Sequence, residues 1–201
     1  MKALNSIKLS KGFTLIELMI VIAIASILMT LAVPSFSLMI NNSKVTSTTN
    51  EFISSLNLAR SEALKRSGNV SVCKSNASYT ACDTTAATFT TNGWLVFSDT
   101  CGVTGVIDSA AATATTPACT DVRIKVGEAN DQISIKEDVA AGAADIDVVT
   151  YNLSGRVAGT APAFLVETLT GNTRVKKNQV SINRIGRVRS CRLDSSNNCV
   201  N

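Results

Sequence analysis

Apolar positions fall along this chain in three regimes. Residues 13–33 form an almost unbroken apolar run of 21 residues with one charge, Glu17. As a helix that run spans about 32 Å, enough to cross a bilayer core. After it comes a stripe: Phe52, Leu56, Ala59 and Ala63 recur at three- to four-residue spacing, so one face of a helix can pack on a sheet. Pro34 cannot donate to the preceding turn and is expected to kink or interrupt the helix. Glu62 and Arg66 stand four apart in the favourable order, and Ser67-Gly68 supplies a glycine stop. A helix over 13–66 would be about 80 Å long, far more than a globular domain of this size needs.

From Asn69 the period changes to that of short strands. They are expected at 70–72, 94–97, 122–126, 133–135, 146–151, 164–166, 175–177 and 180–182. Gly127, Gly142, Gly155 and Gly171 mark turns between them. Residues 75–87 are polar and read as a loop, as does the Ala- and Thr-rich insert 108–117. A long helix followed by short antiparallel strands predicts an α+β architecture, the strands forming a sheet or a small sandwich.

Composition narrows the chemistry. The 201 residues suit one domain plus the N-terminal helix. Histidine is absent, which removes Ser-His-Asp and Cys-His catalysis and every His-ligated metal site. No Walker loop, G-x-S-x-G or C-x-x-C occurs, so nothing points to an enzyme or a cofactor. The cysteines are Cys73, Cys82, Cys101, Cys119, Cys191 and Cys199. Behind a membrane-targeting segment they suggest disulfides in an oxidising compartment. Fifteen pairings are open; nearest neighbours, Cys73–Cys82, Cys101–Cys119 and Cys191–Cys199, close short loops and are favoured.

The formal net charge of +4 includes Lys2, Lys8 and Lys11 ahead of the apolar run, so the remainder is close to neutral. Its charges are segregated. Residues 171–193 hold Arg174, Lys176, Lys177, Arg184, Arg187, Arg189 and Arg192 and no acid. Acids gather earlier, at Glu128, Asp131, Glu137, Asp138, Asp145 and Asp147. A basic end on a nearly neutral chain is the electrostatic footprint of an anionic partner.

An ordinary secretory signal peptide does not explain Glu17 inside the apolar run or the continuation of that run past Ala25. Gly12-Phe-Thr-Leu-Ile-Glu17, followed by an apolar helix, closely resembles the processing site of type IV pilins and type II secretion pseudopilins. The resemblance implies cleavage after Gly12 by a prepilin peptidase, N-methylation of Phe13 and an assembly role for Glu17. A carboxylate in that setting is tolerable if it pairs with the new amine of a neighbouring subunit. The implied layout is a leader at 1–12, a helix at 13–66 and a globular β domain with a basic tail at 67–201. Of the helix, 13–33 would lie in the inner membrane and then the filament core, and 34–66 would be an amphipathic stalk.

Further landmarks resemble the FimT/GspH-type minor pilins: Leu58-Ala-Arg-Ser-Glu-Ala-Leu64, Val72-Cys73, Asn92-Gly-Trp94 and Tyr151-Asn-Leu-Ser-Gly-Arg156. These imply a long helix packed on two small sheets, in a low-abundance subunit that assembles with other major and minor pilins and ends on the cell surface. Ile185-Gly-Arg-Val-Arg-Ser-Cys191 contains a Gly-Arg-x-Arg string that resembles the motif of DNA-binding FimT proteins of naturally competent bacteria. It implies sequence-independent capture of double-stranded DNA by Arg187 and Arg189, joined by Arg184, Arg174, Arg192, Lys176 and Lys177. Arginine suits phosphate, Gly186 would let backbone approach it, and the absence of aromatics from the tail argues against base stacking. The competing expectation is a structural FimU- or GspH-like subunit whose arginines meet other pilins. Arg156, at a strand turn, is expected to be structural.

Overall fold

In the computed structural model the described residues are 12–86, 88–99, 101, 107, 109–110, 119–138, 146–169, 174–194 and 196–200. The leader up to residue 11, the glycines at 142 and 171, Asp145 and most of the insert lie outside them. Within the described set one helix, α1 (Leu15–Arg66), precedes eleven strands. They are β1 (Val70–Lys74), β2 (Trp94–Ser98), β3 (Ser109–Ala110), β4 (Cys119–Thr120), β5 (Arg123–Gly127) and β6 (Ile133–Glu137), then β7 (Val148–Tyr151), β8 (Ala163–Thr168), β9 (Lys177–Ile182), β10 (Val188–Leu193) and β11 (Cys199–Val200). The architecture is α+β, with every pairing antiparallel.

The chain divides into two compact units, Met1–Ile40 and Asn41–Asn201. The first contains the apolar part of α1, long and apolar enough to cross a membrane, with a mean hydropathy of 2.6 over its best window. Its side chains are uncovered: Leu15, Ile16, Leu18, Ile20, Ile22 and Ile24 are all exposed. The helix begins at Leu15 rather than Phe13 because Thr14 caps it. Glu17 Oε2 accepts bonds from the Thr14 backbone N–H and hydroxyl, each 2.9 Å, and the Glu17 N–H donates back to Thr14 Oγ1 at 3.3 Å. This reciprocal box satisfies orphan donors of the first turn. Glu17 therefore has a partner within its own chain. The helix also runs on past Pro34 without interruption.

In the second unit, residues 41–66 of α1 turn Val45, Phe52, Leu56, Ala59 and Ala63 inward. The helix ends after Arg66, but the left-handed residue is Ser67 (φ 51°), not Gly68. The Gly68 N–H reaches back to the Ala63 carbonyl at 3.3 Å, so the pair makes a Schellman-type stop with serine in the glycine's usual place.

One sheet has the order β5-β2-β1-β7, a second β11-β10-β9-β8-β6, and β3 with β4 forms a separate ribbon. Phe52 joins the two large sheets. It makes edge-to-face contacts with Trp94 of β2 at 5.4 Å, Phe164 of β8 at 5.2 Å and Phe89 at 5.4 Å. On the far side of the first sheet Cys73, Leu95 and Phe97 form a smaller core with Tyr79, Cys82 and Val126.

The strands differ from expectation where charge hid them. β9 begins at Lys177, so the expected strand at 175–177 is absent and Val175 precedes β9. β10 was not expected as a strand, because its sequence Val-Arg-Ser-Cys-Arg-Leu lacks a continuous apolar face. β3 lies within the insert read as a loop. Tyr151, buried on β7, has a hydroxyl with no hydrogen-bond partner among the described residues, and burial pushes that phenol far above its ordinary range. Replacing Tyr151 with Phe is expected to leave stability unchanged or raise it by up to about 1 kcal/mol, since an unsatisfied polar group is removed. Urea unfolding of the variant checks this; a loss above about 1 kcal/mol would reveal a hydroxyl partner.

Candidate nucleic-acid interface

The basic string sits on the hairpin β9–β10. Its connection is the five-residue turn Asn183-Arg-Ile-Gly-Arg187. The Gly186 N–H donates to the Asn183 carbonyl at 2.8 Å, and the Asn183 N–H to the Arg187 carbonyl at 3.0 Å. Asn183 Oδ1 accepts the Arg187 N–H at 2.8 Å, and Gly186 takes φ +77°. With Asn183 and Arg187 bonded as the closing pair, residues 184–186 are the three-residue hairpin loop in which a glycine supplies the left-handed position.

The same turn occurs at Asn152-Leu-Ser-Gly-Arg156. Gly155 N–H donates to the Asn152 carbonyl at 2.8 Å and Asn152 N–H to the Arg156 carbonyl at 2.9 Å. Asn152 Oδ1 accepts the Arg156 N–H at 3.1 Å, and Gly155 has φ +67°. One turn belongs to each sheet, and the two are packed together. A Cβ on Gly186 would lie 2.0 Å from the Gly155 carbonyl oxygen. Arg60 of α1 bridges them: its Nε donates to the Gly155 carbonyl at 3.0 Å and its second guanidinium nitrogen to the Ile185 carbonyl at 3.1 Å.

Gly186 thus has a different job from the one read in the sequence. It is buried, and its missing side chain makes room for the neighbouring turn rather than for a phosphate. The sequence places Gly155 at a turn, as found, but the roles of Arg60, Asn152 and Asn183 went unread. The signal was the repeat Asn-x-x-Gly-Arg at 152–156 and 183–187.

The seven basic residues do not form one patch. In β10, Arg189 lies opposite Ser181 and Arg192 opposite Asn178. Alternation places Arg189 on the sheet's outer face and Arg192 on the face towards α1, where Asn178 donates to Thr49 at 3.1 Å. Arg187 faces outward with Arg189, and Arg184 stands exposed at the turn. Arg174, Lys176 and Lys177 gather at the opposite end of the hairpin with Leu193, Asp194 and Asn197. Five strand residues separate the ends, about 17 Å.

Lys177 is also engaged: its Nζ is 2.7 Å from Glu167, whose other oxygen is 2.6 Å from Lys136. Burial pushes the Glu167 carboxyl up, but the bonds and charges of the two lysines outweigh it and hold it below its ordinary value. Glu167 therefore stays ionised at neutral pH and keeps Lys177 occupied. By contrast, Arg184, Arg187 and Arg189 are exposed and have no side-chain ion pair or hydrogen bond among the described residues. The arrangement can present three cations to an extended anion. It contains no nucleophile-base pair, and the described residues hold no cluster of metal-ligating side chains.

Disulfides join Cys73 to Cys82 and Cys191 to Cys199, with Cα separations of 5.7 and 5.4 Å. Cys101 is disulfide-bonded as well; its partner and the side chain of Cys119 lie outside the described residues. At the N-terminus, Gly12 is exposed with open space around it, and Phe13 is 94% exposed.

Comparison with known proteins gives two family matches. Residues 48–186 match the type II transport protein GspH, and residues 7–33 match the prokaryotic N-terminal methylation motif. The first match ends at Gly186, so Arg187, Arg189 and Arg192 follow it. No relative among the curated proteins matches. Among solved structures, two crystal forms of the Pseudomonas aeruginosa (strain PAO1) type IV minor pilin FimU align with the chain. One aligns at 16% identity and TM-score 0.47, over 77% of this chain and 96% of the other. The second aligns at 17% identity and TM-score 0.47, over 73% and 87%.

Proposed function

This chain belongs to the GspH family and carries the prokaryotic N-terminal methylation motif, and from that premise we propose that it is a DNA-binding minor type IV pilin. A prepilin peptidase cuts after Gly12 and Phe13 is N-methylated. Before assembly the apolar part of α1 holds the protein in the inner membrane as a single span, with the β domain in the periplasm. The same segment then packs among other major and minor pilins, and Glu17 takes part in that packing. On the assembled pilus the hairpin β9–β10 meets double-stranded DNA during natural transformation.

The observation that carries the DNA reading is the state of Arg184, Arg187 and Arg189. They are exposed at one end of the hairpin, Arg184 and Arg187 in the turn and Arg189 in β10, and none has a side-chain ion pair among the described residues. Phosphates attract such groups whatever the base sequence, because binding releases condensed counterions. Arg174, Lys176 and Arg192 add weaker, more distant attraction, and Lys177 adds least because Glu167 holds it.

The test is binding of duplex DNA by the full-length processed protein in detergent, measured against salt. Three to four neutralised phosphates give a slope of log affinity against log salt of about −3. Unrelated sequences are expected to give the same slope. Replacing both Arg187 and Arg189 with Gln is expected to flatten it by about 2 and weaken binding roughly 50-fold or more at 0.1 M salt. No binding at low salt by oxidised protein favours the alternative, a structural FimU- or GspH-like subunit that primes a pilus or secretion pseudopilus. The GspH match includes Arg184 but ends before Arg187 and Arg189, so it fits that alternative equally well.

A further inference from the structure

The twin turns place a second arginine beside the hairpin. In each turn the residue after glycine contributes its backbone, the N–H to asparagine Oδ1 and the carbonyl to the asparagine N–H. Neither turn uses the arginine side chain. Arg156 is exposed, and its guanidinium has no ion pair or hydrogen bond among the described residues. A residue needed only for its main chain does not explain a long cation there.

The position is fixed by packing. The ideal Cβ of Gly186 falls 3.1 Å from the Gly155 carbonyl carbon, which is bonded directly to the Arg156 nitrogen. Arg187 is the next residue after Gly186. The two arginines therefore leave the backbone at adjoining points, one from each sheet. Arg60 holds both turns through the Gly155 and Ile185 carbonyls, so their spacing does not depend on the arginine side chains.

We propose that Arg156 is a DNA-phosphate contact acting together with Arg187 and Arg189. The inference rests on the DNA-binding reading above. It extends the binding surface from one hairpin to both sheets, so that a duplex lies across the seam that Arg60 fastens. A guanidinium with an unoccupied fork suits a phosphate oxygen pair, and one more contact adds one more released counterion.

Duplex binding by the full-length processed protein in detergent, titrated between 50 and 300 mM salt, tests this with Arg156→Gln and Arg156→Lys beside the Arg187→Gln/Arg189→Gln protein. Arg156→Gln is expected to flatten the salt slope by about 0.9 and weaken binding about eight-fold at 0.1 M salt. Its unfolding midpoint should match the parent, and Arg156→Lys should keep the parent slope. An unchanged slope in Arg156→Gln, with binding lost in the double variant, overturns the inference and leaves the DNA reading standing. A lowered midpoint in Arg156→Gln also overturns the inference by making the residue structural, and a flattened slope in Arg156→Lys overturns it because a retained charge should keep the same number of released counterions. No binding by the parent removes both.

Discussion

Replacing Phe52 with Ala is expected to destabilise the β domain by about 3–5 kcal/mol. The ring is fully buried and touches Phe89, Trp94 and Phe164 edge-on, so three aromatic contacts vanish with it. Each such contact contributes about 0.5–1.5 kcal/mol beyond area burial. The vacated space cannot be closed from one side, because Trp94 and Phe164 belong to different sheets and Phe52 is the helical residue between them. Total stability of a domain is about 5–15 kcal/mol, so this single change removes a large part of it. Trp94 is the only tryptophan and reports the site directly. Urea unfolding followed by its fluorescence should show a much lower midpoint. A shift equivalent to less than about 1 kcal/mol would mean that the aromatic cluster is not the join between the sheets.

The second large effect is expected from Gly186→Ala. An added methyl would sit 2.0 Å from the Gly155 carbonyl oxygen and 3.0 Å from Arg60 Nε, in a residue with φ +77°. A left-handed non-glycine residue costs about 1–2 kcal/mol before any clash. The methyl then has to displace the neighbouring turn, and with it bonds from a charged guanidinium, each of about 1.5–3 kcal/mol. We expect a loss of about 3 kcal/mol or more, a fall of roughly 6–12 °C in Tm for a domain of this size. Thermal unfolding and DNA titration together decide what the glycine does. Lower Tm supports the packing role. Parent stability with lost DNA affinity would return Gly186 to the phosphate.

These two positions also show what the sequence could and could not disclose. The stripe containing Phe52 is a local, periodic signal, and the helix behind it lies where that period placed it. Strands rich in Val, Ile and Phe, such as β2 and β8, were readable for the same reason. β10 was not, because its apolar residues are few and its pairing with β9 comes from the turn rather than from composition. The helix cap at Thr14 was legible in principle as Thr-x-x-Glu, but the carboxylate drew attention to a partner outside the chain. For the basic site, sequence located the arginines and not their faces. A one-residue step moves a side chain across the sheet, so Arg189 and Arg192 part company although they are three apart. Lys177 is held in an ion pair by Glu167, which stands on the neighbouring strand β8. From sequence, Gly186 is expected to face a ligand phosphate. The carbonyl it meets belongs to Gly155, and only folding brings that turn to it.

The ends of the sheets have a consequence for a protein that would work in dense arrays of similar subunits. An unpaired strand edge is a template for strand addition by the next copy, and crowding multiplies the encounters. β5 lies at the rim of the first sheet and carries Arg123 and Lys125. At the rim of the second, β11 pairs with Arg192 and Leu193 of β10, and Cys199 is bonded back to Cys191 within β10 itself. What remains of the β10 edge bears Arg189. The C-terminal disulfide thus works as a selvage: it keeps a short finishing strand sewn to the border of the sheet, so that copies can lie side by side without their sheets running together.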